Sequence, residues 1–170
     1  MEIKPLQAQP EFDIMYFMEV SGLTRLDNDL LAKLEAAWMD WKDRIRMCHL
    51  GDEGQAGFLL VWLHEKVEEL VEQAWDRSRE EGEAFHNLAV TLVMAAAQAH
   101  VPQLLETGCA PLPKPGKAVL ETFEELGLEW NPMTASLNRQ YAVFTPDPYR
   151  GGCEICFQGD VCPNSTVRGN

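Results

Sequence analysis

The chain has 170 residues, 46% of them hydrophobic, and carries a net charge of −13 from 14 basic and 27 acidic side chains. That is one domain of ordinary size with enough apolar material for a core. A surface this acidic repels nucleic-acid phosphates and anionic membranes, which argues against both as general partners and favours basic protein surfaces.

The opening MEIKPLQAQPEF lacks a basic segment followed by an apolar run. The longest apolar run, LAVTLVMAAA at 88–97, is too short to span a bilayer. The expectation is a cytoplasmic chain whose thiols stay reduced.

Pro5 and Pro10 punctuate an extended N-terminal arm, and EFDIMYFMEV reads as a short helix or an apolar packing segment. In LDNDLLAKLEAAWMDWKDRIRMCHL, Leu30, Leu34, Trp38, Trp41, Ile45 and Cys48 recur at helical steps behind a cap at Asp27 or Asn28. The expected break is GDEG, residues 51–54. A second helix is predicted through QAGFLLVWLHEKVEELVEQAWDRSREEG, with Leu59, Leu63, Val67, Leu70 and Ala74 as its stripe and Gly82 as its end. EAFHNLAVTLVMAAAQAHVPQLLETG is apolar on most faces, which predicts the central buried helix, bent or ended at Pro102. After the proline-rich CAPLPKPGK comes a short amphipathic helix closed by Gly127. Asn131 and Pro132 then suit a helix start. No segment alternates as a strand. The predicted fold is all-α: one bundle of about five helices over residues 1–142, with an irregular Pro/Gly-rich cysteine tail over 143–170.

The tail holds three of the five cysteines, spaced Cys153-x2-Cys156-x5-Cys162. A C-x2-C pair puts two thiolates on one tight turn, and five further residues let the chain wrap round and present a third. Structural zinc usually takes two close pairs, or one pair with two histidines, and no histidine follows His100. A cubane iron–sulfur cluster accepts cysteines wrapped around it. The triplet therefore favours [4Fe–4S], with zinc or no metal as alternatives.

A fourth ligand is wanted. Cys109, at a helix end beside the proline-rich loop, is the candidate; an oxygen of Asp147 or Asp160, or an exogenous ligand, is the alternative. Cys48 reads as a buried small hydrophobe. His64 with Glu65 reads as a polar helix face. His86 and His100 lie about 21 Å apart on one helix and cannot share a metal. No nucleophile elbow, phosphate loop or paired catalytic carboxylates support an enzyme.

The C-x2-C-x5-C spacing resembles the iron–sulfur motifs of the endonuclease III family, RecB-type nucleases, some radical-SAM maturases and the NifQ family. The chain lacks a helix-hairpin-helix, a strand-borne nuclease site and a barrel, so the first three are set aside. The tail CEICFQGDVC is similar to that of NifQ, and FEELGLEWNPMTASLNRQY at 123–141 resembles the NifQ segment before it. Pro148 stands where that family has a further cysteine. The resemblance implies a small iron–sulfur accessory protein in metallocofactor assembly, and electron delivery suits the same cluster. The implied partner is a redox or metallocofactor enzyme. Residues 49–65 and 83–97 resemble the TorD/NarJ helical chaperones, which implies the alternative: a metal-free or zinc-bound chaperone for a redox enzyme.

Overall fold

The computed structural model describes residues 1–52 and 55–167. Strand β1 (Ile3–Pro5) is followed by helix α1 (Ile14–Ser21), whose first N–H groups bond the Asp13 carboxylate. Helix α2 (Asn28–Trp41) starts at Asp27, which accepts from the Leu30 N–H, and buries Leu30, Leu34, Trp38 and Trp41 along one stripe. Helix α1 buries Phe17, and each helix is held by its apolar side rather than by propensity.

The helix expected to run on through Cys48 stops at Trp41, and a single tight turn leads into strand β2 (Ile45–Leu50). The next predicted helix also divides. Its first part is strand β3 (Gly57–Leu63), and helix α3 (Glu65–Arg77) begins only after His64, whose Nδ1 accepts the Lys66 N–H. The expected break at 51–54 falls partly outside the described residues, at Glu53 and Gly54.

Ser78 ends α3 and caps helix α4 (Arg79–His100), accepting the Glu81 N–H. Gly82, expected as a terminator, lies inside α4 and makes room for Trp75: a Cβ there would sit 2.2 Å from the indole. Helix α4 is the central helix, packed on α1, α2, α3 and β3. A short helix α5 (Gln103–Thr107) follows, and then α6 (Lys117–Glu125), which ends before Gly127 at φ 71°. The helix expected from Asn131 is instead a small hairpin, β4 (Trp130–Asn131) with β5 (Ser136–Leu137). The Asn131 side chain accepts from the Met133 and Thr134 N–H groups, closing a turn rather than opening a helix.

Strand β6 (Ala142–Asp147) lies across the expected 142/143 boundary. It completes an antiparallel sheet of order β1-β2-β3-β6. The fold is therefore mixed α and β, which corrects the all-α expectation. The sheet is covered on both faces. Met47, Leu59, Val61 and Val143 pack under α1–α4, while Cys48, Leu50, Leu60 and Phe144 pack under α6 with Val119, Phe123 and Leu128. No helix among the described residues is long and apolar enough to cross a membrane.

Candidate thiol site

Helix α5 closes on Gly108, left-handed at φ 64°, and Cys109 follows directly. The Thr107 hydroxyl is within 3.0 Å of both the Gln103 and Cys109 carbonyls, which fixes this corner. Pro111, Pro113 and Pro115 are then buried. They hold the connection against the body without needing partners for N–H groups they lack.

The cysteine loop is held by its own main chain. Cys156 N–H donates to the Cys153 carbonyl at 3.3 Å, Gly159 N–H to Cys156 at 2.9 Å, and Cys162 N–H to Gln158 at 2.8 Å. Gly159 is buried, and a Cβ on it would stand 2.5 Å from the Cys153 carbonyl oxygen. The loop closes this tightly because position 159 has no side chain. One bond ties it to the proline-rich connection: the Phe157 N–H donates to the Leu112 carbonyl at 2.6 Å. The two cysteine-bearing segments, forty-odd residues apart in sequence, meet there.

All five cysteines are free. The Cys153 sulfur accepts the Thr166 N–H at 3.5 Å. That bond, helped by the side chains of Thr166 and Ser165, holds its thiol below the usual range. Burial first, and then charge on Cys156, Cys153 and Cys162, pushes the Cys109 thiol up. The Cys109 thiol thus lies within electrostatic reach of all three tail thiols. Cys48 stands apart on β2, 3% exposed, with its thiol pushed up to about 11 by burial.

The expectation of a formed metal-binding group is corrected. Among the described residues, no group of three or more His, Cys, Asp or Glu side chains is arranged to hold a metal ion. One tetrahedral ion with metal–sulfur bonds of about 2.3 Å needs sulfurs roughly 3.8 Å apart. Among the described residues, no three side chains are gathered in that way. In donor type and number, the four thiols do suit the all-cysteine ligand set of a cubane cluster, which is larger than one ion.

A second polar cluster was missed by the sequence reading. His100, at the end of α4, puts Nε2 3.1 Å from Asp147 Oδ2, and the His49 Nε2 lies 3.8 Å from the same oxygen. Strand register carries this meeting: His49 pairs with Leu59 and Gly57 with Asp147. Gly57 leaves the space, since a Cβ there would meet the His49 ring at 2.8 Å. With β2 read as helix, no such register was visible. His86 Nδ1 lies 3.0 Å from the buried Tyr141 hydroxyl, and His64 caps α3; neither belongs to a wider cluster. Residues 49–65, read as helical in the likeness to TorD/NarJ chaperones, contain the end of β2 and the whole of β3. Compared with known proteins, the chain matches no protein-family model and no curated protein sequence.

Proposed function

We propose that Cys109, Cys153, Cys156 and Cys162 hold a [4Fe–4S] cluster and that the protein serves metallocofactor assembly or electron delivery. The observation that carries this reading is the meeting of the two cysteine segments through the Phe157–Leu112 bond, with the Cys109 thiol in electrostatic reach of the other three. Where NifQ has its further cysteine this chain has Pro148, and Cys109 supplies a fourth thiol from another part of the fold. When bound, such a cluster stores or passes one electron, or is handed on.

The protein's own part is to present thiolates. The Thr166 N–H favours Cys153 as the anion, the form that binds iron. Cys109, whose thiol is pushed up by partial burial and by the charge on the tail cysteines, would have to lose its proton to join the ligand set. Loading therefore releases protons and is favoured by rising pH.

The test is anaerobic loading with ferric iron, a thiol reductant and sulfide, followed by metal and sulfide counts and electron paramagnetic resonance of the dithionite-reduced protein. About four of each per chain are expected, with Cys109→Ser changing the spectrum and shortening the cluster's lifetime. No uptake, or a cluster indifferent to Cys109→Ser, rejects the four-thiolate site.

A further inference from the structure

A pocket of about 470 Å³ opens between the proline-rich connection, α6, the β4–β5 hairpin and Phe157 of the cysteine loop. Its volume is in the range of small-ligand and side-chain pockets. Pro115 comes from the segment that carries Cys109, and Phe157 directly follows Cys156. Leu120 and Trp130 face them. Phe157 is 42% exposed, and the nearby loop also exposes Ile155 and Val161. Large apolar side chains are thus left uncovered where the two cysteine segments meet.

The charge around the pocket is uneven. Glu124 and Glu129 line it, and neither carboxylate forms an ion pair among the described residues. Lys114 is the basic residue in the lining. Lys117, one turn along, is already paired with Glu121 at 3.6 Å. The whole chain adds its net charge of −13. An apolar floor of aromatic and proline side chains under an acidic rim complements an amphipathic segment with apolar anchors and Lys or Arg beside them.

We propose that this pocket docks a basic amphipathic segment of the protein that exchanges electrons or cluster with the thiol site. The inference takes its purpose from the cluster reading, because docking here brings the partner against Phe157 and the connection that follows Cys109. Apolar side chains entering between Trp130 and Phe157 supply affinity. The carboxylates steer the approach and set its register more than they add affinity, because exposed ion pairs are weak in water.

The test uses ¹⁵N-labelled protein, metal-free and after iron and sulfide loading, titrated with a Lys/Leu amphipathic peptide of about 15 residues and with its Glu/Leu counterpart. The Lys/Leu peptide should shift the Trp130 indole N–H and the Leu120 and Phe157 amides, and bind more weakly as salt rises. Reversing both carboxylates (Glu124→Lys with Glu129→Lys) should weaken it about tenfold at an unchanged melting temperature. Phe157→Ala should weaken it too. Shifts centred elsewhere, equal binding of the acidic peptide, or unchanged affinity after charge reversal overturns the docking proposal. Iron uptake without binding at this pocket overturns docking alone. Binding here without iron uptake supports docking and rejects the cluster reading.

Discussion

Cys48 and His49 are adjacent in sequence and face opposite sides of one strand. Cys48 packs with Leu60, Phe123 and Phe144, while His49 turns toward Asp147 and the end of α4. The thiol has no water to stabilise its anion, so its ionisation is pushed from 9.0 to about 11. Below the unfolded value both states are protonated, and Cys48 does not affect stability through ionisation. Between 9.0 and about 11 the unfolded chain loses the proton and the folded one keeps it, so stability falls as pH rises through that window. Cys48→Val removes this titration and keeps the apolar contacts. The variant should therefore lose less stability than the parent between those pH values, measured by denaturant melts at several pH values. Parallel pH profiles would show that the thiol ionises as readily folded as unfolded. Cys153 shows the reverse arrangement: it is half-buried, and a backbone N–H favours its sulfur as the anion.

At the scale of elements, β6 decides what the body needs. Val143 and Phe144 are buried on its opposite faces, and Thr145 is fully buried with an unpartnered hydroxyl. Burial of each apolar side chain is worth roughly 1.5–3 kcal/mol, against a whole-domain margin of about 5–15 kcal/mol. Truncation after Tyr141 should thus abolish the cooperative thermal melt seen by circular dichroism. Truncation after Arg150, which keeps β6 and the Asp147–His100 contact, should preserve it. A cooperative melt for the shorter chain would mean that the sheet stands without its edge strand. The same strands explain what the sequence did and did not disclose. Helices α2 and α6 were legible because each turns one apolar stripe to a core, on opposite sheet faces, and α4 because it is apolar on most of its faces. Strands β2 and β3 were not, because both faces of the sheet are covered and the apolar run FLLVWL shows no alternation. Leu59 and Leu63 stand four apart, which is one face in a strand as well as in a helix, so the step continued without a break into Val67 of α3. The division between α3 and α4 did leave a mark, which the expectation of an end at Gly82 passed over: Ser78 with Glu81 is an S-x-x-E capping signature. At the candidate site, the three tail cysteines were legible from spacing. The approach of Cys109 could be posed only as a loop's reach, since nothing local encodes the bond from Phe157 to Leu112.

Over the whole molecule, two layers of helical and hairpin cover enclose the sheet, and the cysteine loop leaves from the end of β6. The body is held by apolar burial on both sheet faces. The loop is held by short main-chain bonds and the tie to Leu112, with Ile155, Phe157 and Val161 exposed. A segment with so little buried apolar area opens at lower free energy than the sheet it hangs from. A cluster bound by four thiolates would close a chain segment running from Cys109 to Cys162 and couple the loop to the body, because metal binding at such a site is also ordering free energy. Arg150, exposed at the root of the loop with its guanidinium 5.9 Å from the Phe58 ring, is the natural reporter. Trypsin should cut after Arg150 in metal-free protein before it cuts at Arg25 or Arg79, so that residues 1–150 appear as the first large fragment. Anaerobic loading with iron and sulfide should slow that cut severalfold while the rates at Arg25 and Arg79 stay unchanged. Slowing at all three sites would mean that loading stabilises the whole fold, and equal cleavage after Arg150 in both forms would sink metal-driven ordering of the loop.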